Sequence, residues 1–169
     1  MEKGKTRMTD ELLLIKRSRK KPVVGDIFVI QPRKSVYFYG KVIEVNDHFR
    51  TFDAELYVIL IYKDKSSKLE MTDNLSPDNI LVPPMIVNRK GWTSGYFYTV
   101  ENTELTEEEK NLDYGFKYII TDCFMFHKAT GEKLDHEPLI LGTYGIGSYG
   151  TVAYEVTKAL EKNPELLEF

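Results

Sequence analysis

The sequence predicts an α+β fold dominated by antiparallel β-structure: a strongly twisted sheet or partial barrel with one C-terminal helix. Three observations point there. Strand-like segments follow one another without long helices between them, as in sheets built from hairpins. Eleven Tyr, nine Phe and one Trp favour a pleated surface, where aromatic side chains pack well. One amphipathic helical stripe occurs, close to the end of the chain.

The first strands lie in residues 22–46. Pro22 and Gly25-Asp26 punctuate the start, and Ile27 to Ile30 is a short apolar run. Gln31 to Ser35 is a polar break, and Val36 to Val45 consists almost wholly of β-formers. Two strands joined by a short loop are expected. Leu56 to Tyr62 is continuously apolar over a strand's length, the signature of a central strand covered on both faces. Lys63 to Ser67 and Ser76 to Asn79 read as turns. Ile80 to Val87 is apolar but contains Pro83-Pro84, which cannot join a central ladder, so an edge strand or extended crossing segment is expected. Gly91 and Gly95 bracket Trp92, and Gly95 to Val100 reads as a further strand. Thr106 with Glu109 forms a capping box that starts a helix of a turn or two before Gly115. Phe116 to Phe126 reads as a long strand, Ala129 to Glu132 as a turn, and Glu137 to Leu141 as a short final strand. Val152, Val156, Ala159 and Leu160 lie on one helical stripe that stops at Asn163-Pro164.

Charge is unevenly placed. Residues 1–22 carry a net +5 while the whole chain is at −3, leaving −8 on the rest. The chain therefore divides into a basic N-terminal extension, residues 1–21, and a single mainly-β domain, residues 22–169. The extension offers charge to nucleic acid or an acidic partner. Termini are usually solvated, so a solvated tail, partly helical from a Thr9 cap, is expected, with nucleic acid not a partner. No apolar run approaches the ~20 residues needed to span a bilayer, and Leu12 to Ile15 is too short for a signal-peptide core. Cys123 is the only cysteine, in keeping with a reducing compartment. A soluble cytoplasmic protein is expected, with no membrane contact.

The motifs that could carry chemistry mostly dissolve on inspection. Gly145-Ile146-Gly147-Ser148-Tyr149-Gly150 satisfies a nucleotide-binding glycine pattern. The short chain beyond it holds neither the second strand of a dinucleotide site nor a kinase catalytic lobe. A tight strand-to-helix connection is the expected role. His48, His127 and His136 lack metal-ligand spacing. Asp135-His136-Glu137, just after Gly131, reads as a solvated turn, because neighbours on a strand face opposite ways. No catalytic residue, cofactor site or metal site is expected. The densest acidic segment is Glu101, Glu104, Glu107, Glu108, Glu109 and Asp113. It would complement a short helix's dipole, and it would also attract a basic protein partner. Trp92 and Tyr96 are the candidate aromatic anchors of such a contact.

Several landmarks occur in a telling order: Val24-Gly25-Asp26-Ile27-Phe28, Tyr39-Gly40, Leu81-Val82-Pro83-Pro84-Met85-Ile86, then Gly91-Trp92 with Gly95. Over roughly residues 22–100 the chain resembles the immunity protein 26 family of bacterial polymorphic toxin systems. The resemblance implies a cytoplasmic protein without enzymatic activity that binds and neutralises a cognate toxin by occlusion. Many such toxins are nucleases, so a basic nuclease is the implied partner. It carries over no contact residues. The Gly25-Asp26 strand with Pro32-Arg33 after it also resembles the opening of MazF- and PemK-type ribonuclease toxins, which would imply a small SH3-like barrel acting on RNA. The later spacing departs from that pattern.

Overall fold

The computed structural model describes residues 11–49, 52–118 and 125–169. A long antiparallel ladder dominates. Strand β1 (Asp26–Arg33) turns at Lys34-Ser35 into β2 (Val36–Phe49), which pairs along its length with β3 (Phe52–Ser66). Next come β4 (Ile80–Val87), the single-turn helix α1 (Lys90–Thr93), β5 (Tyr98–Asn102) and the single-turn α2 (Glu107–Lys110). Then come β6 (Tyr114–Lys117), β7 (Phe126–His127), β8 (Ile140–Thr143), β9 (Ile146–Gly147) and the long helix α3 (Tyr149–Lys162). The strands form a six-stranded sheet in the order β5-β1-β2-β3-β4-β9 and a three-stranded sheet in the order β7-β6-β8. The larger sheet does not close on itself among the described residues. Register shifts interrupt β1–β2, β2–β3 and β3–β4. Such bulges bend strands and raise their local twist.

The α+β, mostly antiparallel expectation is borne out, with two parallel pairings added, β4–β9 and β6–β8. Leu56 to Tyr62 is the central strand it promised. Tyr57, Ile59 and Ile61 enter one apolar cluster, and Leu56, Val58, Leu60 and Tyr62 enter another on the opposite face. The first face is covered by α3 through Val152, Ala153, Val156 and Leu160, together with Phe28, Phe38, Trp92 and Phe97. The second is covered by the smaller sheet through Phe116 and Tyr144. The segment Ile80 to Val87 is not the expected edge strand, since β4 lies between β3 and β9; Pro83 and Pro84 fall in its register shift, between the Ile61–Val82 and Ile59–Met85 pairs, where no ladder amide is required of them.

Several boundaries differ from expectation. Gln31 and Pro32 continue β1, and Lys63 to Ser66 continue β3 rather than turning, because β2 runs alongside and pairs Phe38 with Lys65. The strand expected over 116–126 ends at Lys117; residues 119–124, Cys123 among them, lie outside the described residues. Thr9 lies outside them too. From Glu11 onward no helix follows it, and the segment is an extended strap. Leu12 is buried in the α3-side core while Ile15 packs against the opposite face of β1 and β2. The amide of Leu13 donates to the Gln31 carbonyl at 2.8 Å, that of Ile15 to Gly95 at 2.8 Å, and that of Ser18 to Trp92 at 3.0 Å. These tertiary bonds take the amides a helix would have used. Gly95 accepts the strap with φ at +90°, and a Cβ there would stand 3.0 Å from the Arg17 amide nitrogen. The basic run Lys16, Arg17, Arg19, Lys20 and Lys21 is thus held on the body, exposed, instead of trailing from it.

Candidate interaction surface

Helix α2 is the centre of the acidic segment, and its position is set from below. Lys41 points from the middle of β2 into the face between the Ile27–Val29–Tyr39 cluster and the second core cluster. Its ammonium lies 2.8 Å from Glu109 Oε2, with the two side chains 3% and 1% exposed. Lys41 Nζ also donates to the Glu104 carbonyl at 3.3 Å. Glu109 Oε2 accepts the Thr106 amide while Thr106 Oγ1 accepts the Glu109 amide, both at 3.2 Å, so the expected capping box is present. The same carboxylate therefore closes the helix start and neutralises a buried lysine.

The acidic residues divide on this basis. Glu104, Glu107 and Glu108 are exposed and Glu101 is half-buried beside them in sequence. Glu101 accepts the Thr72 amide at 2.8 Å, and Glu108 accepts the Ser76 hydroxyl at 3.4 Å. These contacts fold the connection 67–79 back towards β5 and α2. They bring Asp64 and Glu70 into the same field. The Tyr39 phenol is pushed above its ordinary value by burial, outweighing the hydrogen bond with Ser66, and further by the charges of Glu70, Glu101 and Asp64. Asp64 and Glu70 escaped the sequence reading because they precede the acidic run by some 30 residues or more. The Ser- and Asp-rich connection was the available signal.

Three of the expected contact residues are engaged within the fold. Glu109 is consumed by Lys41. Trp92 is 1% exposed, edge-on to Phe28, Tyr57 and Phe97, and its indole N–H donates to Thr99 Oγ1 at 3.1 Å. Both are buried. Asp113 is engaged elsewhere, with Oδ1 2.7 Å from His136 Nε2 and Oδ2 accepting the Leu139 amide at 3.1 Å. Tyr96 is half-buried, stacked on Tyr149 at 4.3 Å, and packs against the α3-side core. It is across the sheet from α2, whose flanking Leu105 and Leu112 pack on the other face.

His136 sits between two carboxylates, since its Nδ1 lies 2.8 Å from Asp135 Oδ1. The turn expected there is solvated, but it is also clasped to the start of β6. Hydrogen bonding to Asp113, then to Asp135, holds the imidazole above the ordinary histidine value of 6.5, and the same bonds hold both carboxyls below 3.8. The imidazolium's contribution is complete below pH 6.5 and is lost as pH rises through its raised value; the carboxylates' contribution is complete above 3.8 and is lost as pH falls below it. Between those limits the clasp is fully charged. Melting temperature measured from about pH 5 to 9 should therefore fall on the alkaline side, and His136→Gln should flatten that slope. An identical slope in the variant would contradict the clasp.

Of the other histidines, His48 pairs with Asp53 at 2.9 Å near the β2–β3 turn, and His127 is buried in the smaller sheet. The glycine-rich segment forms β9 and the start of α3, the tight strand-to-helix connection expected of it.

These residues assemble an acidic face on a β-scaffold, with a pinned basic strap on another part of the same body. The immunity protein 26 family profile matches residues 23–123. The chain belongs to that family. No curated protein and no solved structure matches it. No helix among the described residues is long and apolar enough to cross a membrane.

Proposed function

We propose that this chain is an immunity protein that binds a cognate toxin of a bacterial polymorphic toxin system in the cytoplasm and neutralises it by stoichiometric occlusion, without catalysis. Family membership over residues 23–123 carries the reading. The docking face is the acidic one, formed by Glu101, Glu104, Glu107 and Glu108 with Asp64 and Glu70 beside them. The favoured partner is a basic protein such as a nuclease, whose phosphate-binding surface this face would cover. The Lys41–Glu109 pair supports that assignment, because it gives the exposed carboxylates a fixed pose before the toxin arrives. Preorganisation of this kind limits the ordering cost of association.

Opposite charge acts mainly on encounter. The variant Glu104→Gln/Glu107→Gln/Glu108→Gln, measured against the toxin encoded beside this gene, should associate roughly tenfold more slowly at low salt. Its rate should depend less on ionic strength, and its melting temperature should change little because these side chains are exposed. Glu109 and Asp113 are left intact to keep the fold out of the comparison. An unchanged low-salt association rate would place the toxin elsewhere on the surface.

A further inference from the structure

On the α3 side of the molecule a cleft of about 290 Å³ opens between β4, the β8–β9 turn and α3. Its walls are largely apolar, with Pro83, Pro84 and Leu141 facing Ile146, which is 46% exposed. Gly142 lets the two sheets approach here, since a Cβ on it would stand 2.2 Å from the Pro84 carbonyl oxygen. The polar groups at the cleft are few. Pro83 and Pro84 bring no N–H to this edge of β4, so the backbone there offers carbonyl oxygen alone. Thr151 supplies a hydroxyl. Glu155, on the second turn of α3, supplies a carboxylate and is the only titratable group lining the cleft.

Among the described residues the Glu155 carboxylate has neither an ion pair nor a hydrogen bond. The lysine three residues on, Lys158, holds its ammonium over the Tyr154 ring, 5.1 Å from the centroid. An apolar cleft whose rim carries one unneutralised negative charge selects a ligand with an apolar stem and a cationic donor head. We infer that this cleft is a binding site for an aliphatic chain of about four to six carbons ending in an ammonium or guanidinium group. The stem lies along Pro83, Leu141 and Ile146, and the head meets Glu155. The volume is at the low end for small-ligand sites and suits a compact alkylamine or one lysine or arginine side chain of a polypeptide. The cleft lies at the β4–β9 edge of the six-stranded sheet and shares no lining residue with the acidic face, so its occupation does not depend on the toxin reading above.

The test is an NMR titration of the ¹⁵N-labelled full chain with n-pentylamine, n-pentanol, n-pentanoate and Nα-acetyl-lysine-N-methylamide. Pentylamine should shift the amides of residues 141–147 and 151–155 saturably. Pentanol should bind the same place about fivefold more weakly, the effect of one partly exposed ion pair. Pentanoate should not saturate. Glu155→Gln should keep its melting temperature and reduce pentylamine to the affinity of pentanol. If the lysine derivative binds more tightly than pentylamine, the natural source is a polypeptide side chain; the reverse order assigns a free amine. Equal affinity for the three pentyl compounds, a preference for the amine that survives in Glu155→Gln, or shifts that map outside the cleft would overturn the inference.

Discussion

Removing residues 150–169 is expected to unfold the domain rather than trim it. Val152, Val156 and Leu160 of α3 and Leu167 beyond it are buried in the cluster that contains Phe28, Phe38, Tyr57, Ile59 and Ile61. Burying an aliphatic side chain contributes roughly 1.5–3 kcal/mol, so four of them amount to about 6–12 kcal/mol. That is the size of a whole domain's stability, about 5–15 kcal/mol. The loss would be compounded because the freed face of the central strand is wholly apolar. The family match ends at residue 123, yet the core it contributes is closed by a helix well beyond that point. Thermal and urea denaturation of the chain truncated at Tyr149 should show no cooperative transition, or one at a much lower midpoint. An unchanged melting temperature would mean that α3 is an accessory.

The second large effect concerns Lys41 and Glu109. Removing one partner of a buried ion pair strands the other charge away from water, at a cost of about 3–5 kcal/mol. Lys41→Met and Glu109→Met should each destabilise by that amount. Glu109→Met also loses one arm of the capping box and frees α2. The double variant Lys41→Met/Glu109→Met should recover most of the loss, because an apolar pair of similar volume removes the desolvation cost altogether. A double-mutant cycle from urea denaturation reads this directly. Additive single effects would contradict the pairing. The recovered double variant should nonetheless hold the 104–109 segment less firmly, since the tie from Lys41 to the Glu104 carbonyl is gone.

Much of the framework was legible because local pattern and tertiary context agree. The run from Leu56 to Tyr62 had nowhere to go but the middle of a two-faced sheet. Pro83-Pro84 excluded a regular ladder, and the structure places them at its irregularity. Thr106 and Glu109 announced a helix start, and the 152–160 stripe announced a buried face. The misses share a cause, which is long-range pairing. Lys41 is conspicuous as the one charge inside Tyr39-Gly40-Lys41-Val42-Ile43, but nothing local says that its partner lies 68 residues away. Trp92 read as a candidate anchor because aromatic residues dominate interface hot spots; its neighbour Gly91 instead serves close packing against the Phe97 ring. A Thr9 cap suggested a helix, but Leu12 and Ile15 are claimed by two different faces of the sheet instead. The smaller sheet was obscured by very short strands and by the parallel β6–β8 pairing, which no hairpin signal announces.

The most direct test of the whole reading is a titration of the neighbouring gene's toxin with the purified chain, following residual toxin activity against molar ratio. Stoichiometric occlusion predicts a linear fall that reaches zero at one equivalent, with a complex of matching composition on size-exclusion chromatography. Full inactivation at a small fraction of an equivalent would reveal an enzyme, and undiminished activity at several equivalents would show that this toxin is not its target.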